Sequence, residues 1–363
     1  MSCILIISPE PWDGHFVSKH HYAITLASKG NKVYFLNPPN NKLNGIEVSQ
    51  TKYSNLWSIS SPQVAKGLRF YPRLIRTFIE RKWLNNLEKI IKNHFSIIWL
   101  FENSRFYNMQ FAHNCLKIYH QVDLNQNFHT SKAAKSADIC FCTTDYILKE
   151  IKPHNANVYK IHHGVDLSHK VIKLLKQQIA NFKVNGVNVA YVGNLAMKYM
   201  DVDILADLVD SFPTIHFQFV GGYDDKTPLY NKCKKNENIS WWGKIDSKLI
   251  PNVLDYCDVV LVSYQTDYFI DQASPHKIME YLASGKVIAS TYTDEYKDKR
   301  NLIEMVDNSE DYVKHFKKII NNLALYNSKE RQQERVAFAN ENSYEKKLEE
   351  VSLLLRKCNL KGY

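Results

Sequence analysis

The chain has 363 residues, 45% of them apolar and 23% charged, with a formal net charge of +10. This composition excludes a disordered chain, the length fits two domains of about 150 residues each rather than one core, and the apolar runs are too short for a membrane-spanning helix, which needs about 18 apolar residues. The positive charge favours anionic partners, whether nucleic acid, acidic lipid head groups or sugar nucleotides, without choosing among them.

Cys3 to Ile7 is a continuous apolar run of the kind a buried parallel strand shows, with no basic region before it, so no signal peptide and a cytoplasmic location are expected. A loop from Pro9 to Gly14 leads to a helix over 17–29, ended by Gly30-Asn31. A second strand follows over 32–36, then Asn37-Pro38-Pro39, giving a βαβ opening without G-x-G-x-x-G. His15, Lys19, His20 and His21 are either phosphate or acceptor contacts or helix-surface residues. From Gln63 to His94 the pattern is helical and basic, with eight Lys or Arg against two Glu. Arg69, Arg73 and Arg76 interleave there with Phe70, Leu74, Ile75, Phe78 and Ile79. That pattern suits an anionic membrane surface through the 66–92 region, or a solvated helix whose apolar stripe faces the core.

Strands are expected over 97–100 and 115–119, the second ending at His120-Gln121-Val122-Asp123. Ligands of open α/β sheets sit at the carboxyl ends of strands, so His120 and Asp123 are candidates to face a substrate. In the strand 137–144, Cys140 and Cys142 face one side and read as buried thiols rather than a metal pair. The seven cysteines are scattered and fit a reducing compartment. Val158 to Ile161 leads into His162-His163-Gly164-Val165-Asp166, where Gly164 supplies a turn.

A second α/β unit begins at Val187, and its strand ends in Gly193-Asn194. Gly193, Asn194 and Lys198 suit a diphosphate, because Gly lets backbone approach and Lys brings charge to a strand-to-helix loop. Asp201-Val202-Asp203 opens a helix rather than binding metal. Strands over 215–220 and 238–245 end in glycines, Gly221-Gly222 and Gly243. After a buried strand over 257–262 comes Ser274-Pro275-His276-Lys277-Ile278-Met279-Glu280-Tyr281-Leu282-Ala283-Ser284-Gly285-Lys286-Val287. It reads as a helix with Ser274 as N-cap, Pro275 at its first position and Gly285 as its stop. The amides near His276 and Lys277 form a phosphate site, and Glu280, one turn on, can accept hydrogen bonds from ribose hydroxyls; Lys277 and Glu280 can equally pair with each other. The chain closes with an apolar-periodic helix through Leu348, Val351, Leu354 and Leu355.

The segment from Pro275 to Val287 resembles the P-x-K-x-x-E-Y-L-A-x-G-K-P-V signature of retaining glycosyltransferases of family four. The Trp12-Asp13-Gly14 loop, the Ile118 to Asp123 block, the His162 to Asp166 turn and Asn238 to Ile245 resemble further blocks of that family. The resemblance implies an α/β GT-B fold of two Rossmann-like domains facing a cleft: residues 1–170 for the acceptor, 171–340 for the nucleotide sugar, and a helix over 341–363 crossing back to the first domain. It implies a nucleoside-diphosphate-sugar donor (UDP- or GDP-sugar), a glycan or lipid-linked acceptor in bacterial surface polysaccharide synthesis, no nucleic-acid partner and no metal or other cofactor. Peripheral association with the inner face of the membrane follows from the basic helix.

By the same resemblance Gly14 lines the cleft, His120 and Asp123 contact the donor sugar, Lys198 and Lys277 stabilise the leaving diphosphate, and Gly243 and Lys244 edge the nucleobase. The family carries Gly-Arg where this chain has Gly193-Asn194, and Gln272, with Asp271 beside it, stands where many members have Glu. Two other classes remain open: a nucleotide-sugar epimerase on a similar scaffold and a non-catalytic sugar-nucleotide binder.

Overall fold

The computed structural model describes residues 1–14, 16–124, 128–167, 173–265, 277–360 and 362. Two compact units result, Met1–Gly164 with Tyr344–Tyr363, and Val165–Ser343. The first is built on strands β1 (Cys3–Ile7), β2 (Lys32–Leu36), β3 (Glu47–Gln50), β4 (Leu56–Ser60), β5 (Ile97–Leu100), β6 (Leu116–Gln121), β7 (Ile139–Cys142) and β8 (Val158–Lys160). They lie in the order β3-β4-β2-β1-β5-β6-β7-β8. Only β3 runs antiparallel among these described strands; it is a polar edge strand paired to β4. All five residues of β1 and all four of β5 are buried, as strands covered on both faces must be. The order reverses beside β1, which pairs with β2 on one side and β5 on the other, so a crevice opens at their carboxyl ends.

Helix Ser18–Ser28 and the final helix Tyr344–Lys357 cover one face of this sheet. Leu348, Val351 and Leu355 of the final helix join Ile4, Ile6, Tyr22 and Leu26 in the same core, the 3.6-residue period carried into packing. Gly164 is where the chain meets this helix. A Cβ there would lie 2.8 Å from the Tyr344 ring, so close approach, rather than a turn, requires the glycine.

The helix expected over 63–94 is shorter and inverted. Pro72 precedes a helix over Arg73–Ile91, with a single 3-10 turn over Leu68–Phe70 before it. Arg76, Glu80, Leu84 and Leu87 face inward, whereas Phe70, Leu74 and Phe78 are 75%, 83% and 67% exposed. The first half therefore turns charge to the core and apolar groups to solvent, which corrects the reading of an apolar stripe in the core.

The second unit holds β9 (Asn188–Val192), β10 (His216–Val220), β11 (Ile239–Gly243), β12 (Val259–Val262), β13 (Val287–Ser290) and β14 (Glu304–Met305), all parallel, in the order β11-β10-β9-β12-β13-β14. Here the order reverses between β9 and β12. Asp201 caps the helix Val202–Ser211 by accepting the Ile204 N–H at 3.1 Å, and Asp203 pairs with Lys232, so both acids have structural partners. Cys140 and Cys142 are buried in β7, and burial pushes both thiols up. Among the described residues no helix is long and apolar enough to cross a membrane.

Gly164→Ala should cost about 1–3 kcal/mol through overpacking against Tyr344, read as a lower Tm in thermal melts. Gly45→Ala, where an added methyl group meets nothing within 4 Å, should leave Tm nearly unchanged.

Candidate functional site

The carboxyl edge of the second sheet is a stair of glycines. β9, β10 and β11 end at Gly193, Gly221 and Gly243, and the Gly193 N–H donates to the Val220 carbonyl at 2.7 Å, the Gly221 N–H to that of Gly243 at 3.0 Å. No larger residue fits the first two steps: a Cβ on Gly221 would overlap the Gly193 carbonyl oxygen, and one on Gly193 would overlap the Lys277 ammonium. The lysine thus occupies the place of a side chain at the end of β9, its Nζ 5.8 Å from the Tyr191 ring centre. Burial pulls its pKa down to about 8, opposed by the nearby Glu280 carboxylate.

Lys277 begins the described helix Lys277–Ser284, which is held at both ends. β9 pairs with β12 only at Val189 and Ala190, so the Val192 backbone groups beyond that point need another partner. The buried Tyr281 hydroxyl supplies both bonds, donating to the Val192 carbonyl at 2.9 Å and accepting its N–H at 3.1 Å. Lys277 and Tyr281 are four residues apart and so share a helix face, with Glu280 beside them. At the other end Gly285 takes φ +72°, a left-handed stop, and its carbonyl accepts from Arg335 Nη1 at 3.0 Å. Fully buried Arg335 also donates to Leu302 and Tyr326 carbonyls, placing a cation at the negative end of the helix. Sequence reading missed Arg335 and gave Tyr281 no role; the four-residue spacing from Lys277 was the available signal for Tyr281.

The other predicted residues of this unit divide. Gly243, at φ +67°, and Lys244 lie one strand end further along, the Lys244 chain passing over Gly222. Asn194 folds back, its Oδ1 accepting the Ala196 N–H at 3.0 Å, so the side chain closes the turn. Lys198 is exposed on the following loop. Asp271, Gln272, Ser274, Pro275 and His276 lie outside the described residues, as does His15.

In the first unit Lys19, His120 and His163 lie together behind the carboxyl ends of β1 and β6, with His20 against Trp12 and Phe35. Lys19 is 1% exposed and pairs with Glu10 at 2.6 Å; with His20 and His21 it is buried, which excludes the helix-surface reading. His20 accepts the Val17 N–H on Nδ1 and bonds the Pro11 carbonyl through Nε2 at 3.1 Å, fixing the loop that carries Gly14. Gly14 itself is exposed and closes a turn onto Pro11 at 3.1 Å. β6 runs on to Gln121, so His120 lies inside the strand instead of beyond it. Its ring is 1% exposed, stacked on Phe101 and close to Tyr22, Trp99 and Phe141, and neither ring nitrogen has a hydrogen-bond partner. Burial pulls its pKa down to about 3, and that of His20 and His163 to about 4. Asp123 keeps an exposed surface, but crowding by surrounding protein raises its carboxyl above the ordinary value, with Lys19 opposing.

No family model matches this chain. A putative teichuronic acid biosynthesis glycosyltransferase of Bacillus subtilis (strain 168) is 24% identical over 163 residues, a match covering 43% of this chain and 40% of that protein. The matched stretch therefore spans about two-fifths of that relative's length. Sucrose-phosphate synthase from Thermosynechococcus elongatus superposes with a TM-score of 0.73 at 14% identity, covering 98% of this chain and 99% of its own. Anabaena HepE in complex with UDP and glucose gives 0.71 at 12% identity, covering 98% and 100%. The chain has the GT-B fold of these two structures.

Tyr281→Phe should strip the Val192 N–H and carbonyl of their buried partner and cost about 1–3 kcal/mol in denaturant unfolding. Four histidines whose pKa values burial lowers, His20, His120, His162 and His163, predict an acid limit. Their folded pKa values lie below the unfolded 6.5, so unfolding takes up protons and stability falls as pH drops from 6.5 towards 4, by roughly 1.4 kcal/mol per pH unit per histidine. Tm at pH 5 should lie well below that at pH 7.5, and His120→Leu should flatten the slope.

Proposed function

We propose that this protein is a retaining glycosyltransferase that moves a sugar from a nucleoside diphosphate to a glycan or lipid-linked acceptor of bacterial surface polysaccharide. The observation that carries the reading is the Lys277 ammonium seated over Gly193 at the carboxyl edge of the second sheet, with Glu280 one turn further on. A cation held against bare backbone can meet a diphosphate without an intervening side chain, and Glu280 then lies at the distance of a ribose. Gly243 and Lys244 follow along the same edge for the base.

In this scheme the bond between the anomeric carbon and the β-phosphate oxygen breaks while the acceptor oxygen bonds the same face of the sugar. The acceptor proton passes to the departing phosphate oxygen. Lys277, with Lys198 and helix amides, stabilises the charge that develops on that diphosphate, which is the work a metal does in other schemes; we propose that none is needed. His120, neutral at pH 7 and enclosed by aromatic rings, supports the sugar site from behind rather than acting as acid or base. Asp123 completes the sugar site, and Asp271 and Gln272 hold sugar hydroxyls. The reading is supported by the putative glycosyltransferase and the sucrose-phosphate synthase named above, and by the HepE structure with UDP and glucose bound. Location at the inner face of the cytoplasmic membrane belongs to the same proposal.

Thermal shift with UDP, GDP and ADP tests the donor site. One nucleotide at 100 times its Kd should stabilise by about 2.7 kcal/mol, read as a Tm rise of several degrees, and Lys277→Ala and Glu280→Ala should each abolish the rise. A chain indifferent to all three nucleotides would sink the proposal. Release of free sugar or isomerised donor without acceptor would point instead to an epimerase.

A further inference from the structure

The inverted half-helix of the first unit has a recess behind it. Beneath Phe70 lies a cavity of about 480 Å³ walled by Pro39, Val64, Ala65, Leu68 and Phe106. Its walls follow β2, β4 and β5, at the carboxyl edge where α/β sheets take ligands. Phe106 turns its ring inward from a left-handed backbone, φ +53°, a strained choice for a bulky residue that the surrounding structure must hold in place.

Glu80 lines the same cavity. It is 2% exposed, its Oε2 has no hydrogen-bond partner, and the nearest cationic atom, Arg76 Nε, is 4.0 Å away. Burial pushes this carboxyl up to about 7, opposed by Arg76, so about half of it is protonated at neutral pH. Arg105, also in the wall, is already committed to Glu102 and to the Ser8 and Asn37 carbonyls. A phosphate thus has its partners outside, where Lys66, Arg69 and Arg73 are exposed around Phe70 and Leu74, with Arg69 4.7 Å from the Phe70 ring centre.

We infer that the segment from Gln63 to Phe78 is a port for one chain of an anionic membrane lipid: Phe70, Leu74 and Phe78 seat in the bilayer face, Lys66, Arg69 and Arg73 hold phosphates, and the recess receives the chain. Exposed aromatic and aliphatic groups ringed by cations match the two halves of such a surface, apolar below and anionic at the head groups. The proposal deepens the reading of a lipid-linked acceptor and rests on it.

The test uses the full chain with vesicles of phosphatidylcholine and phosphatidylglycerol, the latter carrying a diazirine in one acyl chain. Pelleting with these vesicles and photo-adducts mapped by mass spectrometry to residues 63–70 and Phe106 are expected. Leu74→Asp with Phe78→Asp, both at exposed positions, should reduce pelleting at least tenfold. Ala65→Trp, which fills the recess, should keep pelleting and lose the adducts. Failure of the wild type to pellet, or adducts elsewhere or surviving in Ala65→Trp, overturns the port. Nucleotide shifts on the same samples separate the two readings: a shift without lipid capture overturns the port alone, and lipid capture without a shift supports the port while removing the donor assignment.

Discussion

The second unit depends on one hydroxyl. A doubly wound sheet must part where its strand order reverses, and parting leaves backbone donors and acceptors without strand partners. Tyr281 fills that deficit at Val192 with a single group that both donates and accepts. The bond that mends the sheet also fixes the helix carrying Lys277 and Glu280 against the end of β9. Arg335 fixes the helix from its far end, through the Gly285 carbonyl. Site geometry and sheet integrity are therefore one constraint, which is why the lysine can stand over Gly193 despite losing solvation there.

The first unit solves the corresponding problem with charge. Arg105 donates to the Ser8 and Asn37 carbonyls, just beyond β1 and β2, and is itself steadied by Glu102 after β5. A guanidinium reaches several carbonyls at once, but it donates only, so it suits an edge with acceptors left over. Around it the unit keeps charge balanced: Lys19 is paired with Glu10, and burial holds four histidines neutral. The two units thus present different chemistry at their strand ends, a buried ammonium with a carboxylate nearby in one and neutral imidazole rings in the other.

The inverted half of helix Arg73–Ile91 shows how composition can mislead. An interleaved run of arginines and aliphatic residues fits a helix with either face inward, because periodicity fixes which residues share a face and not where that face points. Arg76 faces inward because Tyr107, at its guanidinium, offers both a hydroxyl and an aromatic face. Glu80 follows one turn later, and their mutual attraction offsets only part of the desolvation of each. The apolar residues are left outside as a consequence.

What could be read without the structure follows the same physics. Buried parallel strands announce themselves as short apolar runs, so β1, β2, β5, β9 and β12 were legible, as were the glycines that end strands and helices. β3 and β4 were not, since β3 is a polar edge strand and serines interrupt the apolar run of β4. Gly193 and Lys277 were each legible as candidates to face a phosphate, but their contact joins residues far apart in the chain. Tyr281 meets Val192 across 89 positions, Arg335 meets Gly285 across 50 and Arg105 meets Ser8 across 97. Local pattern cannot assign such partners, because a tyrosine or arginine on a helix looks the same whether it faces water or a neighbouring strand end. The end of β6 was placed too early for the opposite reason: polar residues usually close a strand, but four aromatic rings made an interior place for His120, and β6 continued past it.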